Sequence, residues 1–308
     1  MRTKMVIVIS VLGIISLTSI AQTNSIDYFG QTPPGDSAVI FAPGIISLPD
    51  RKEQCIVFSP NGKECFFGEW AKDYSYAKVF YTKYFKKKWT SPVEASFSIG
   101  HFTSNIFFSI DGNRLYFHYA NYSGSEPYDI WMVQRTSREW SEPIHLPSPI
   151  NSDYRDGCYS ETKDSVIYFA SNRPGGFDDK GDIWCAHYIQ GQLKVENLGT
   201  TVNSDAWDWA PCVAHDGSYL IFTSERPGCI GYADLYITFK KDDDSWTSPV
   251  NMEKNNRGIN LKDSGSGGAT LSPDGRFLFF SREGDIYWIS TNIIDDIKKD
   301  VFDTKDLK

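Results

Sequence analysis

The sequence has few of the residues that build nucleic-acid-binding surfaces and metal centres. Among 308 residues there are 31 Lys and Arg against 39 Asp and Glu, and five His. The net charge of −8 and the lack of a long Lys/Arg run predict no binding to nucleic acid, because that binding depends on neutralising phosphates. The six Cys include no CxxC pair and no Cys/His group with zinc-finger spacing. We therefore expect no metal, no cofactor and no nucleic-acid partner.

Long apolar runs are also missing beyond the first twenty residues. Two basic residues precede an apolar stretch that ends at Ile20, and Ala21 closes a small-x-small motif typical of signal-peptide cleavage. We expect residues 1–21 to be a signal peptide and residues 22–37 a lead-in. The mature chain would then be exported, periplasmic or extracellular, without membrane insertion. An uncleaved anchor is the alternative, although the stretch is short for a membrane span.

The cysteine pattern leaves two interpretations open. Export to an oxidising compartment makes disulfides chemically accessible to the six Cys. Cys55 and Cys65 flank a tight turn, so a bridge across that hairpin is one expectation. Buried free thiols that pack as small apolar side chains are the alternative.

An internal repeat with a period of about fifty residues organises the chain. Each of five units has a short apolar strand, a turn and a second strand rich in apolar and aromatic residues. The units begin at Ile56, Ile106, Cys158, Cys212 and Thr270. Four of the five turns contain Asn-Gly or Asp-Gly, which tolerate the positive φ of a tight hairpin. Two further strands follow in most units, so the repeat predicts four-stranded blades.

Four-stranded units repeated around an axis describe a β-propeller, because stacked blades bury each other's faces. We predict an all-β fold with a single propeller over residues 38–290 and a polar tail over residues 291–308. Five blades are expected; six is the alternative, because the units exceed the roughly 40–45 residues of compact blades. The last unit ends after its third strand. We therefore expect the N-terminal segment from Val39 to Ser47 to supply the missing strand and close the ring.

A repeated acidic position opens the third strand of most units. Its residues are Asp129, Asp182, Asp234 and Asp285. Their equivalence predicts a capping role rather than a catalytic or metal-binding set, with Arg173 and Arg226 from the preceding loops as partners. The acidic loop 178–182 lacks the alternating ligands of a calcium-binding EF-hand, so a solvated loop is expected there.

Three motifs together resemble the WD40-like propeller repeat of bacterial TolB-type proteins. They are the Ser-Pro-Asp-Gly hairpin at 272–275, the Ser-x-Arg-x-Gly loop at 171–175 and the Asp-Ile-Tyr strand at 285–287. The resemblance spans residues 38 to 290, with a degenerate turn in the third unit. It implies an exported propeller that serves as a protein-binding platform or is attached to other domains. The motifs are specific for the fold and do not identify a ligand.

The segments that lead into the innermost strands vary most between units, and their loops converge on one side of the channel. Aligning the hairpins places five residues at equivalent positions, with an uncertainty of one residue at Asp156; they are Glu53, Thr103, Asp156, Asp208 and Ser266. We predict a ligand-binding channel face formed by Glu53, His101, Arg155, Asp156, Trp207, Asp208 and Trp209. Trp rings offer flat apolar surfaces, and charged groups fix a ligand's orientation. The alternative is that both Trp rings pack between blades.

No catalytic residue is assigned, since the sequence has no Gly-x-Ser-x-Gly motif and its five His are scattered. We expect a monomeric, non-enzymatic binding or scaffold module. Its partner would be an envelope or extracellular protein, a peptide or a glycan. The alternative is a glycosidase or lyase that uses Asp156 and Asp208 as acid and base.

Overall fold

The computed structural model of the protein describes residues 26–73, 75–120, 128–137, 139–177 and 180–303. Within these ranges five antiparallel sheets stand as blades around a central channel. The all-β, five-bladed propeller predicted from the repeat is therefore confirmed. The expected signal peptide and the acidic pair at 178 and 179 lie outside the described residues.

The strands are numbered in chain order, and β1 (Val39–Ile40) belongs to the last blade. Blade 1 contains β2 (Lys52–Phe58), β3 (Glu64–Trp70), β4 (Ala77–Phe85), β5 (Lys88–Trp89) and β6 (Val93–Glu94). A short 3-10 helix, Ser96–Ser98, leads to blade 2, which contains β7 (Phe102–Phe108), β8 (Arg114–Ala120), β9 (Asp129–Gln134) and β10 (Ile144–His145). Blade 3 contains β11 (Asp156–Glu161), β12 (Ile167–Ser171), β13 (Asp182–Ile189) and β14 (Gln192–Asn197). Blade 4 contains β15 (Asp208–Val213), β16 (Tyr219–Ser224), β17 (Asp234–Phe239) and β18 (Val250–Asn251), and blade 5 contains β19 (Ser266–Leu271), β20 (Phe277–Arg282), β21 (Asp285–Ser290) and β1.

The N-terminal strand closes the ring as predicted. β1 pairs antiparallel with β21, and Val39 stands opposite Trp288. The next residue, Phe41, is fully buried and meets the rings of Phe279 and Trp288 at centroid distances of 5.0 and 5.1 Å. Burying one such aromatic side chain contributes about 2–3 kcal/mol, so the closure is stabilised by packing as well as by the ladder.

The segment assigned to a polar tail folds instead as a helix, α1 (Asn292–Asp303). Ile293, Ile294 and Ile297 are buried in a core cluster with residues of β17 and β20. Their spacing places them on one stripe of the helix while the charged residues face away. Because this segment is rich in Asp and Lys, its composition predicted a polar tail and did not reveal the apolar stripe. No helix of the described residues is long and apolar enough to span a membrane.

All six Cys are free thiols, so the predicted bridge between Cys55 and Cys65 is wrong. In the ladder of β2 and β3, Cys65 stands opposite Phe58, whereas Cys55 lies in a β-bulge. The Cys55 thiol donates to the carbonyl oxygen of Ile106 in blade 2 at 3.1 Å. Cys65 packs in the core between blades 1 and 5. The two side chains point to different interfaces, and the alternative of buried thiols holds for both.

Each innermost strand carries a β-bulge whose residue has positive φ. These residues are Cys55, Asn105, Cys158, Ala210 and Gly268. A bulge bends the strand and re-aims the side chains beside it. The positions two residues earlier are the five that the hairpin alignment made equivalent, so that alignment is confirmed. The channel is thus surrounded by five copies of one local geometry with different side chains.

Candidate functional site

A cavity of about 270 Å³ opens on the channel face beside blades 2, 3 and 4. We call it the aromatic cavity because four rings line it, those of Trp70, Tyr128, Trp207 and Trp209. Arg155 and Glu225 are exposed and form its rim. Ser104, Asn105 and His118 supply polar groups deeper inside. The lining therefore combines flat apolar surfaces with a few hydrogen-bonding groups.

The two Trp rings of blade 4 reach this cavity through the alternation of a strand. Asp208 begins β15 and points into the protein, so its two neighbours project to the other side. Trp207 and Trp209 are both partly exposed and both line the cavity, so they do not pack between blades. Gly181 makes room for one of them, because a Cβ there would lie 3.2 Å from the ring of Trp207.

Asp208 itself is fully buried and is committed to the protein. One carboxylate oxygen accepts hydrogen bonds from the amide and the hydroxyl of Ser204, at 2.7 and 2.8 Å. The other oxygen accepts from the guanidinium of Arg226 at 2.7 Å. We call this group of Asp, Ser and Arg a carboxylate clamp. It joins the segment that enters the blade to the loop that leaves the second strand.

Blade 3 contains a second carboxylate clamp. Asp156 accepts from the amide and hydroxyl of Ser152 at 2.6 and 2.7 Å and from Arg173 at 2.5 Å. Its side chain is buried beside the aromatic cavity, and both of its oxygens are used. Because the same donors recur at the same repeat position, the clamp explains why an Asp occurs there in both blades.

The clamps correct the predicted partners of the two arginines. Arg173 and Arg226 pair with the carboxylates that open the innermost strands, not with Asp182 and Asp234. Asp182 accepts instead from the amide of Phe177 at 2.8 Å, and Asp234 likewise accepts from amides of its own loop. The capping role predicted for these two Asp residues is therefore confirmed, while the pairing with arginine is wrong.

Glu53 occupies the same position in blade 1 but lies outside the aromatic cavity. Its Oε1 accepts from Arg51 at 3.1 Å, and the same guanidinium contacts Glu69 at 2.9 Å. Its Oε2 is buried and has no hydrogen-bond partner among the residues that the structure describes. Burial raises the pKa of Glu53 to about 7, against the opposing effect of Arg51.

His118 connects residues of two neighbouring blades in the lining of the aromatic cavity. The amide of Cys158 in blade 3 donates to its Nε2 at 2.7 Å, and the carboxamide of Asn105 lies 3.0 Å from its Nδ1. Burial lowers the pKa of His118 to about 4, so the ring is neutral at pH 7. Gly157 permits this contact, because a Cβ at that position would collide with the imidazole. His118 therefore links blades 2 and 3.

The structure brings together part of the predicted channel face. Four of its residues line the aromatic cavity, namely Arg155, Asp156, Trp207 and Trp209. Asp208 is held in its clamp, and the ring of His101 instead packs against that of Tyr119, with centroids 4.5 Å apart and the planes tilted. With Glu53 also elsewhere, the structure groups four of the seven predicted residues at one cavity, which lies beside blades 2 to 4.

Sequence reasoning missed three residues of the lining that share a position in the repeat. Trp70 occupies the position directly after the residue that pairs with Glu53, and Asn172 and Glu225 occupy the same position in blades 3 and 4. All three line the aromatic cavity. An alignment of the second strands at this position therefore identifies them. Tyr128, which precedes β9 and stacks on His118 at 5.9 Å, carries no such repeat signal.

Comparison with known proteins assigns no family to the chain. No protein-family model matches the chain, and no curated protein matches it. The chain is similar to the tricorn protease, with 14% identity and a TM-score of 0.48 over 76% of this chain and 21% of that chain. It is also similar to an alpha-L-arabinofuranosidase from Lactobacillus brevis, with 14% identity and a TM-score of 0.45 over 73% of this chain and 83% of that one. A gluconolactonase from Xanthomonas campestris matches with 8% identity and a TM-score of 0.43 over 77% of this chain and 85% of that one.

These neighbours are β-propeller proteins, which is the class that the fold of this chain defines. The chain spans about a fifth of the length of the tricorn protease. At such identities and TM-scores the likeness concerns the architecture, and it carries no argument about activity or ligand.

Proposed function

We propose that the protein is an exported, non-enzymatic binding module that holds one sugar ring of a glycan in the aromatic cavity. The observation that carries the proposal is the lining, in which Trp70, Tyr128, Trp207 and Trp209 surround a space with polar groups at its floor and rim. A sugar ring has apolar faces that pack on aromatic rings and an edge of hydroxyls that need hydrogen-bond partners. The cavity of about 270 Å³ suits one ring-sized group.

Polar groups inside the cavity support a hydroxyl-bearing ligand. The hydroxyl of Ser104 is buried and has no hydrogen-bond partner among the described residues. A buried polar group without a partner costs free energy that a ligand hydroxyl can recover. At the rim, Arg155 and Glu225 are exposed and offer a donor and an acceptor to the same ligand.

The clamps favour binding over glycoside hydrolysis. Hydrolysis needs two carboxyl groups free to exchange protons or attack at the sugar. Asp156 and Asp208 each have both oxygens engaged by Ser and Arg donors. Glu225 then remains as the one accessible carboxylate among the residues that line the aromatic cavity. A rigid rim on packed blades also loses little conformational entropy when it binds.

A glycan array followed by calorimetric titration tests the proposal. We expect the purified mature protein to bind a defined glycan, and Trp207→Ala and Trp209→Ala to weaken that binding by roughly 30-fold, the size of a hot-spot residue. Tyr188→Ala is the matched control, because Tyr188 is 66% exposed and lies outside the cavity.

Two results with a bound glycan would contradict the proposal, and a third result would change the class of ligand. One is binding that both Trp variants leave unchanged, which would move the site to another surface. The other is release of reducing ends from the bound glycan that disappears in Asp156→Asn, which would favour the glycosidase. If no glycan binds and a peptide binds to the same rings instead, the ligand of the aromatic cavity would be an aromatic or apolar side chain and not a sugar.

Export is part of the proposal and has its own test. It is supported by the basic and apolar N-terminus and by the resemblance of the repeats to exported TolB-type propellers. Mass spectrometry of the protein from cell fractions should find a mature N-terminus at Gln22 outside the cytoplasm. An intact N-terminus at Met1 in the cytoplasm would contradict export without affecting the aromatic cavity.

A further inference from the structure

Blade 3 carries a second group of reactive side chains, none of which lines the aromatic cavity. Cys185 and His187 alternate along β13, so their side chains project from the same face of the sheet. Glu196 of β14 stands directly opposite Cys185 in the antiparallel ladder. Among the residues that the structure describes, one donor atom from each of the three lies within 4.8 Å of the others.

We propose that Cys185, His187 and Glu196 form a binding site for a borderline divalent transition-metal ion, with Zn²⁺ as the expected occupant. A thiolate, an imidazole and a carboxylate are the ligand types that zinc takes in proteins. Bond lengths of about 2.0–2.3 Å in a tetrahedral site bring donor atoms to roughly 3.5 Å from one another. The observed separations of up to 4.8 Å exceed that spacing by about 1.3 Å at most. Three protein ligands leave a fourth position for water.

The charges around the site balance a divalent ion. Binding releases the thiol proton of Cys185, so the thiolate and the carboxylate of Glu196 together neutralise the ion. Two cations lie near. Lys194 stands opposite His187 in the ladder, and Lys240, whose charge acts on Cys185, is paired with Asp244 at 3.1 Å.

The position of the site suits a stable geometry with access from solvent. β13 and β14 pair over six successive residues, so the backbone that carries all three ligands is fixed by one ladder. Glu196 is exposed, while Cys185 is partly buried beside Tyr168 of the neighbouring strand. An ion therefore has an open approach from the carboxylate side, and the thiol is shielded from bulk water on the other.

Titration of the chelator-treated full protein with Co²⁺ tests the proposal, because cobalt bound to a thiolate gives a sulfur-to-metal charge-transfer band. We expect one equivalent to bind with this band and Zn²⁺ to displace it. Cys185→Ser should abolish the band. His187→Ala and Glu196→Gln should each weaken Co²⁺ binding by at least roughly 10–100-fold, because losing a residue that only supports a metal ligand already has an effect of that size.

Matched controls separate this site from the other thiols and imidazoles. Cys229→Ser removes another partly exposed thiol, and His145→Ala removes an exposed imidazole on blade 2; both should leave the titration unchanged. Co²⁺ binding without the band, or a band that persists in Cys185→Ser, would overturn the proposal. Weak binding of several equivalents that none of the variants changes would identify adventitious cobalt and would overturn it as well. Should Cys185→Ser fail to fold, Glu196→Gln decides, since Glu196 is exposed.

Discussion

Blades 1 and 4 bury a carboxylate at the same position of the repeat but surround it differently. Asp208 receives two hydrogen bonds from Ser204 and one from Arg226, so each oxygen has a partner. Glu53 shares the guanidinium of Arg51 with a second carboxylate, and its Oε2 has no hydrogen-bond partner among the described residues. The repeat thus determines where a carboxylate is buried, and the loops determine whether its charge is satisfied.

Blade 4 also separates a buried structural residue from residues that face the aromatic cavity. Because Asp208 points into the protein, its neighbours Trp207 and Trp209 point into the aromatic cavity. Blade 1 has no aromatic pair around Glu53 and contributes only Trp70, from the end of its second strand. On blade 4 the satisfied clamp thus lies between two cavity-lining rings, whereas the unsatisfied carboxylate of blade 1 has no aromatic residue directly before or after it in the chain.

Breaking a clamp should have the largest effect. Asp208→Ala leaves the guanidinium of Arg226, which is 13% exposed, without its counter-charge. We expect unfolding in urea to report a loss of about 3–5 kcal/mol, the cost of an uncompensated buried charge. The control is Glu94→Gln in the more exposed pair with Lys78, where the loss should stay below about 1 kcal/mol. Equal losses in the two variants would show that the clamp is not structural.

Glu53 should give a pH-dependent effect of about 3 kcal/mol on the free energy of unfolding. Its folded pKa of about 7 lies above the ordinary value of 4.5, so the folded protein holds a proton between these pH values that the unfolded chain has lost. This carboxyl therefore makes the protein less stable as the pH rises from 4.5 to 7, by about 1.4 kcal/mol for each step of one in pH.

The variant Glu53→Gln isolates this contribution. Its unfolding free energy minus that of the wild type should rise by about 3 kcal/mol from pH 4.5 to pH 7 and then level off. Subtracting the two curves removes the opposite slope of His118, whose folded pKa of about 4 makes the protein more stable as the pH rises through the range 4 to 6.5. A flat curve for Glu53→Gln would mean that Glu53 is ionised in the folded protein.

The smallest effect on stability is expected at Gly181. A Cβ there would lie 3.2 Å from the Trp207 ring, so Gly181→Ala should displace the ring by a few tenths of an ångström at a cost of about 1 kcal/mol. Glycan affinity should fall several-fold although Asp208 and its partners are untouched. Gly35→Ala is the control, because nothing lies within 4 Å of its added Cβ. Unchanged affinity would mean that the position of the Trp207 ring does not matter for binding.

The repeated hairpin made the fold and much of the register predictable from the sequence. The Asn-Gly and Asp-Gly turns fixed four of the five strand pairs, and aligning the degenerate third unit with them placed Glu53, Asp156 and Asp208 at one equivalent position, which the bulges confirm. The missing fourth strand of the last unit likewise predicted the pairing of β1 with β21. These features are local or repeat-wide, so one sequence suffices to read them.

The remaining features depend on contacts that a repeat does not encode. Arg226 had two carboxylates within loop reach, and only the folded loop shows that it pairs with Asp208. A β-bulge at Cys55 turns its side chain away from Cys65, and the residue types in this strand do not predict a bulge there. The juxtaposition of His187 with Glu196 depends on the register of the hairpin between β13 and β14, which no repeated motif of the sequence fixes. In each of these cases the partner of the side chain depends on the folded structure and not on the repeat.

The most direct test of the central claim is a crystal structure of the protein with the glycan that binds most tightly on the array. We predict one sugar ring in the aromatic cavity against Trp207 and Trp209, with the pairs Asp156–Arg173 and Asp208–Arg226 intact. Density for the glycan on another surface, or a sugar bound by these two carboxylates after their arginines have moved away, would contradict the account.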